Sequence, residues 1–184
     1  MKMDARLNLL LVLGLLGGCA GTPPPDKASL KERCYSHGEI RTCAAYSAPS
    51  PQQIADVQRL RPPPAGVGRL ILVRNDWRDA YGQVELVLDG VNLPSLIPCS
   101  VVGVDTKPGD HSLQLGHMAA TDRPVNVALR SQEVTVISVK RAPRGAGLRG
   151  FSLMPIERAE ASALIRECAV VGFVDQTAVK VPAR

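Results

Sequence analysis

The chain has 184 residues, a net charge of +5 and a hydrophobic content of 45 %. These values are typical of one ordinary globular domain with additional segments, and they exclude a chain too small or too polar to build a core. The mild positive charge does not indicate nucleic-acid binding, and no nucleic-acid partner is expected. Aromatic residues make up only 3 % of the chain, so the core must consist of valine, leucine, isoleucine and alanine.

Residues 1–18 have the three parts of a secretory signal peptide. Lys2 and Arg6 supply the basic start, Leu7 to Leu16 supplies a short apolar run, and small residues precede Cys19. The apolar run is about half the length of roughly 20 residues that a membrane-spanning helix needs. The chain start is therefore predicted to be a cleaved export signal rather than a permanent membrane span.

The motif Leu16-Gly17-Gly18-Cys19 resembles the signal of bacterial lipoproteins. The resemblance implies cleavage before Cys19 and attachment of diacylglycerol and palmitate to that cysteine, whereas the alternative is an ordinary signal in which Cys19 is incidental. Ala20 stands where inner-membrane lipoproteins often have aspartate, so the resemblance also implies the outer membrane, with the protein facing the periplasm. Residues 19–33 are then expected to form a tether, proline-rich at its start.

Four cysteines remain beyond Cys19. Thiols outside the cytoplasm tend to pair, and four cysteines allow three connectivities. We favour Cys34 with Cys43, which closes a short loop, and Cys99 with Cys168, which joins a strand to a late helix. A metal site built from Cys34, His37 and Cys43 is the weaker interpretation, because structural zinc needs four ligands and cysteine-rich sites suit reducing compartments. No metal is expected.

Residues 34–65 are predicted to form this disulfide loop followed by a short helix. Ser50 is a suitable N-cap, Pro51 fits the first turn, and Gln53 completes a capping box. Apolar residues then recur on one face, and three consecutive prolines at 62–64 end the helix. The main domain is expected to begin near Gly66.

Residues 66–174 change to strand periodicity. Alternating or β-branched segments predict strands near 70–73, 84–88, 91–93, 97–105, 113–115, 125–129, 134–139, 151–154 and 169–174. Asp89-Gly90 predicts a tight hairpin turn, and residues 156–168 have helical periodicity. The pattern predicts a mainly β protein, an antiparallel β-sandwich or barrel of about seven to eight strands with a C-terminal helix. Residues 175–184 are expected to be a loose tail.

The segment from Gly68 to Cys168 resembles a bacterial lipoprotein domain family of unknown function. The matching features are the strand from Arg69 to Asn75, the hairpin Val87-Leu88-Asp89-Gly90, the segment from Lys107 to Leu113, the strand from Val134 to Val139 and the closing helix. The relatives of that family include PEGA-type and carboxypeptidase-regulatory-like domains. The resemblance implies a small β-sandwich and carries no catalytic residues to transfer.

Two loops carry candidate binding residues. Arg141, Arg144 and Arg149 lie in a basic, glycine-rich loop, which is either a solvated hairpin tip or a contact for anionic lipid or cell-wall polymer. Trp77 and Tyr81 share another loop, where they either stack on a sugar or plug one end of the sandwich.

Motifs for catalysis or cofactor binding are weak. The glycines at 145–150 fit a dinucleotide fingerprint on paper, but a strand follows them where that motif needs a helix. His111 is expected at the entrance of a strand, His117 at its far end, and Asp105 and Asp110 flank a turn where acidic groups are usually solvated. We therefore expect no catalytic residues and no cofactor.

The sequence thus predicts a non-enzymatic envelope lipoprotein whose domain acts as a structural or protein-interaction module. Its partners are expected to be the membrane, through the lipid, and another envelope protein. The alternative function is a periplasmic binding module for cell-wall glycan or anionic lipid.

Overall fold

The computed structural model describes residues 30–76, 82–116, 124–141 and 151–177. These residues form a mainly β fold with two helices, which confirms the predicted fold class at that level. In chain order the elements are β1 Leu30–His37, β2 Ile40–Ser47, α1 Pro51–Gln58, β3 Gly68–Arg74, β4 Leu86–Leu88, β5 Val91–Asn92, β6 Ser100–Thr106, β7 Gly109–Leu115, β8 Val125–Leu129, β9 Val134–Arg141, β10 Phe151–Pro155, α2 Arg158–Glu167 and β11 Ala169–Asp175. In this part of the chain, no helix has the length and apolar character needed to cross a membrane.

A five-stranded sheet with the order β10-β9-β3-β6-β11 lies at the centre of the fold. The expectation of wholly antiparallel pairing is wrong here, because β3 runs parallel to β9 and β6 runs parallel to β11. Every residue of β3 and of β6 is buried. Parallel strands occur where both faces of a sheet are covered, and this sheet meets that condition.

A second, four-stranded sheet covers one face of the first. Its order is β5-β4-β7-β8, and all of its pairings are antiparallel. The two sheets contribute to one aliphatic core, which includes Leu70, Leu72, Val102, Val104, Ile137, Val139 and Val171 from the first sheet and Leu86, Leu88, Leu113, Val127 and Leu129 from the second. Core formation from aliphatic side chains agrees with the scarcity of aromatic residues.

The predicted Asp89-Gly90 turn joins β4 to β5. Both residues have positive φ, 50° and 82°, which is the backbone geometry of the tight hairpin turns that favour Asp-Gly. By contrast, the strand predicted to start at Ile97 begins only at Ser100. Cys99 has a φ of 51°, and this left-handed conformation interrupts the extended backbone ahead of β6.

The two helices cover the other face of the five-stranded sheet. Val57 and Leu60 from the α1 segment join Ile71 and Val73 of β3 in a second apolar cluster. The capping box of α1 is present as predicted: the Gln53 N–H donates to Ser50 Oγ at 3.2 Å, and the Ser50 N–H donates to Gln53 Oε1 at 2.8 Å. The helix is therefore part of the main core.

The face that helix α2 buries is only partly the one that its sequence indicates. The helical pattern favours Ile156, Ala159, Ala163, Leu164 and Cys168. Of these, Ile156, Leu164 and Cys168 pack in the second apolar cluster, whereas Ala159 and Ala163 are exposed. The residues that α2 itself buries are Ala161 and Ile165, on the side that contacts β3 and β9.

The segment around Cys34 is a β-hairpin rather than a loop. Strands β1 and β2 pair antiparallel over their full lengths, with Cys34 opposite Cys43. The last residues expected in the tether, 30–33, belong to β1. The hairpin is attached to the main body through buried Ala44 and through Gln83, whose Nε2 donates to the Cys43 carbonyl at 2.6 Å.

Candidate functional site

The start of β6 and the start of β11 bring two cysteines together. These strands are parallel, and Ser100 aligns with Ala169. Cys99 and Cys168 are the residues immediately before this aligned pair, and the Ala169 N–H donates to the Cys99 carbonyl at 3.2 Å. Neighbouring strands lie about 4.8 Å apart, so the register places the two side chains within reach of each other.

Both cysteines are free thiols in the structure. The Cys99 thiol donates to the Glu167 carbonyl at 3.1 Å, and the Cys168 thiol donates to Asn75 Oδ1 at 3.4 Å. Cys168 is 4 % exposed, whereas Cys99 is half-buried. The structure thus brings together the two cysteines that the sequence analysis paired, and the cross-link between them stays a prediction.

The two thiols have opposite pKa shifts. The pKa of Cys99 is lowered, chiefly by a hydrogen bond from Cys168 and also by the charge of Arg33, against the opposing effects of burial and Glu167. The pKa of Cys168 is raised, chiefly by its hydrogen bond to Cys99 and then by burial. A thiolate is the reactive form of cysteine, so Cys99 is the more nucleophilic member of the pair.

A cavity of about 390 Å³ adjoins Cys168. It lies between the hairpin, α1, the end of α2 and the start of β11, and its lining residues are Arg33, Tyr46, Ile54, Gln58, Glu167, Cys168, Ala169 and Val170. This volume is in the range of small-molecule sites. The cavity could not be predicted from the sequence, because its lining comes from five elements, namely β1, β2, α1, α2 and β11. None of them carries a recognisable motif.

The predicted Cys34–Cys43 pair is a disulfide that joins directly opposed residues of the hairpin. Glu32 lies close enough for its carboxylate and the two sulfurs to fall within 4.8 Å of one another. Because both sulfurs are held in the disulfide, neither is a thiolate ligand for a metal. His37 lies exposed at the end of β1.

The predicted surface residues are only partly described. Arg141 is exposed at the end of β9, opposite Phe151. Other predicted positions lie outside the described residues, namely Cys19, Trp77, Tyr81, His117, Arg144, Arg149 and the glycines at 145–150. Both interpretations of the basic loop and of the Trp77 loop therefore stay predictions.

His111 lies near the start of β7, where the sequence analysis placed it, and forms a polar group with Asp89. Its Nδ1 is 2.6 Å from Asp89 Oδ2, and its Nε2 is 2.8 Å from the Lys107 carbonyl. The second oxygen of Asp89 accepts from the backbone N–H of Ser112 at 2.8 Å. Ser112 thus contributes its backbone N–H to Asp89 rather than its hydroxyl. His111 is hydrogen-bonded to Asp89 and to the Lys107 carbonyl, so these residues hold a turn in place and do not pair a hydroxyl nucleophile with a base.

Asp105 is not solvated, contrary to the sequence-based expectation. Its side chain is 12 % exposed and forms an ion pair with Arg69 at 2.6 Å. The expectation was wrong because Asp105 lies in β6, next to β3, rather than in the turn that follows. Asp110, in contrast, is exposed.

The chain matches no protein-family model, no curated protein and no solved structure.

Proposed function

We propose that the protein is a non-enzymatic lipoprotein of the bacterial envelope, anchored through Cys19 and acting as a protein-interaction module. The observation that carries this proposal is the motif from Leu16 to Cys19 after a basic start and a short apolar run. The PEGA-like resemblance belongs to the same proposal, with the two sheets forming a small β-sandwich. The proposal also places the protein in the outer membrane, where it faces the periplasm.

Two features of the described residues support export. The disulfide between Cys34 and Cys43 suits an oxidising compartment, because cytosolic thiols are normally kept reduced. Strand β1 begins at Leu30, a short distance in sequence beyond the proposed anchor, and the intervening sequence contains three consecutive prolines. A proline-rich composition suits a spacer between an anchor and a folded body.

The anchor is tested by changing Cys19 to Ser and fractionating cells that make the full chain. We expect the wild-type protein in the membrane fraction with the added mass of acyl chains. The C19S variant should leave that fraction and lack the added mass. A matched control, Cys99→Ser, keeps the motif and should stay membrane-bound. Membrane retention of C19S with an unchanged mass contradicts the proposal.

The interaction role has its own test. Crosslinking in intact cells, followed by isolation of the protein, should trap one specific envelope protein repeatedly. Contact is expected through an exposed sheet edge or through end loops. Persistent absence of any crosslinked partner contradicts this role without affecting the anchor.

The second candidate function is binding of cell-wall glycan or anionic lipid. The feature of the described residues that favours it is Arg33 in the cavity lining, a cation that can contact an anionic group although Glu167 lines the same cavity. Replacing Arg141, Arg144 and Arg149 with Ser tests the basic-loop version of this idea. The variant should lose salt-dependent binding to anionic liposomes or sacculi, and unchanged binding rejects the loop as the contact.

A further inference from the structure

We propose that Cys99 and Cys168 form a thiol–disulfide exchange site that reacts with small disulfides, with Cys99 attacking and Cys168 resolving. This site is separate from the lipid anchor and does not depend on the protein's attachment to a membrane. It is also distinct from the Cys34–Cys43 cross-link, which joins two strands of the hairpin.

The backbone geometry favours reversible closure of this pair. A disulfide requires Cα atoms about 4.4–6.8 Å apart, and the Ala169 N–H, which donates to the Cys99 carbonyl at 3.2 Å, holds the two chain segments together at this point. Cys99 and Cys168 directly precede the aligned residues Ser100 and Ala169. The two cysteines can therefore bond without a change in strand pairing.

The conformation of Cys99 is held by its neighbours. Its φ of 51° is uncommon for a residue other than glycine. The Ser100 hydroxyl fixes the preceding turn, since it donates to the Ile97 carbonyl at 2.6 Å and accepts from the Ile97 N–H at 2.9 Å. Uncommon backbone conformations of this kind cluster at functional sites, and here one presents a half-buried thiol.

The two thiols have different surroundings, which suit them to different roles. Cys99 is the more exposed, and its thiolate is favoured chiefly by the hydrogen bond from Cys168, against burial and the charge of Glu167. Cys168 is buried at the wall of the cavity, where Arg33 and Glu167 are also lining residues. The attacking thiol needs access to the external disulfide and thiolate character, whereas the resolving thiol needs to reach the first sulfur and to lose its proton there.

The exchange has two balanced steps. The Cys99 thiolate attacks one sulfur of the small disulfide, so that a mixed disulfide forms, the external sulfur–sulfur bond breaks and one thiolate leaves. Cys168 then gives up its proton and attacks the Cys99 sulfur, which closes the Cys99–Cys168 bond and releases the second thiolate. Two cysteine thiols are oxidised, one external disulfide is reduced to two thiols, and the released thiolates take up the protons.

The first step activates the second. The hydrogen bond to Cys99 is the largest cause of the raised pKa of Cys168. When Cys99 becomes part of a mixed disulfide, it no longer holds the negative charge that disfavours a second thiolate beside it. The mixed disulfide therefore removes the contribution of Cys99 to the raised pKa of Cys168, whereas the contribution of burial remains.

The test uses the purified full chain, reduced under native conditions and treated with oxidised glutathione. Peptide mapping without reduction should show a Cys99–Cys168 bond and no lasting glutathione adduct on either residue. The C168S variant should instead keep one glutathione on Cys99. The C99S variant should form an adduct on Cys168 at least about tenfold more slowly.

Several results overturn the proposal. They are an unreactive wild-type pair, equal adduct rates in the two variants, and a Cys99–Cys168 bond that resists reduction until the protein is denatured. Acid quenching of the wild-type reaction at early times gives a measurement that needs no variant. It should trap glutathione on Cys99, and glutathione trapped on Cys168 instead reverses the assigned roles.

Discussion

Arg69 and Asp105 face each other across β3 and β6 and form a two-pronged ion pair. Arg69 Nε lies 2.6 Å from Asp105 Oδ1, and Nη2 lies 2.8 Å from Oδ2. The third nitrogen of Arg69 donates to the Arg61 carbonyl at 3.1 Å, and the guanidinium carbon lies 5.4 Å from the centre of the Phe173 ring. The hydrogen bond to Asp105 is the main cause of the raised pKa of Arg69.

We expect Asp105→Asn to destabilise the fold by about 3–5 kcal/mol, because it leaves the buried Arg69 charge without its counter-ion. Urea unfolding measures the change. The matched control is Glu160→Gln, which removes a half-exposed partner of Lys140. The control should change the free energy of unfolding by less than about 0.5 kcal/mol. Equal effects of the two variants contradict the buried ion pair.

The capping box predicts the effect of Ser50→Ala. Loss of the Ser50 hydroxyl leaves the Gln53 N–H without its acceptor, and such changes typically cost about 1 kcal/mol. The free energy of unfolding measures the cost. Ser36→Ala changes an exposed serine of β1 and serves as the control, with an expected effect below about 0.5 kcal/mol. A cost for S50A no larger than for S36A means that the cap contributes nothing.

Gly103 allows α1 and β11 to approach β6 closely. A Cβ added there would lie 2.7 Å from Val57 Cγ2 and 2.8 Å from Phe173 Cδ2. We expect Gly103→Ala to destabilise the protein by about 1–3 kcal/mol through overpacking. A double-mutant cycle with Val57→Ala checks the cause, because the added methyl group fills space that the smaller residue vacates. The double variant should be less destabilised than the sum of the two single variants, and strict additivity contradicts the steric explanation.

The pKa of Cys99 predicts the pH dependence of its alkylation. A hydrogen bond from Cys168 favours the Cys99 thiolate, so Cys168→Ala should raise the pKa of Cys99. Near neutral pH, iodoacetamide should then label Cys99 more slowly by roughly severalfold, and the pH at which the rate levels off should increase. Cys168→Ser retains a hydroxyl donor and should stay nearer to the wild-type profile. The idea fails if C168A labels as fast as wild type at every pH.

Local signals in the sequence predicted local structure well. Ser50 and Gln53 predicted the α1 cap, and Asp89-Gly90 predicted the turn between β4 and β5. The spacing of Cys34 and Cys43 indicated their pairing, which closes a short separation in the chain. In each case the residues that form the feature lie within nine positions of each other in the sequence.

Features that depend on tertiary partners were not predictable in this way. The sequence of β11, the strand that follows Cys168, does not indicate its direction relative to β6, so the parallel pairing could not be foreseen. Arg69 and Arg74 are charged residues in β3, and the buried state of each depends on partners from other segments, such as Asp105 and the Leu96 carbonyl. The cavity beside Cys168 has the same origin, because it exists only where distant segments meet.

The placement of β3 sets the order in which this protein acquires structure. Its two neighbours are β6 and β9, and the outer edge of β6 is completed only by β11. In a polypeptide that is still being synthesised, the buried strand β3 therefore lacks its neighbour β9 until residues beyond Val134 are available. Assembly of such long-range pairings is slow. The protein should therefore fold cooperatively, and only when most of the chain is available. Shortened versions that end before Ala169 should aggregate rather than persist as stable fragments.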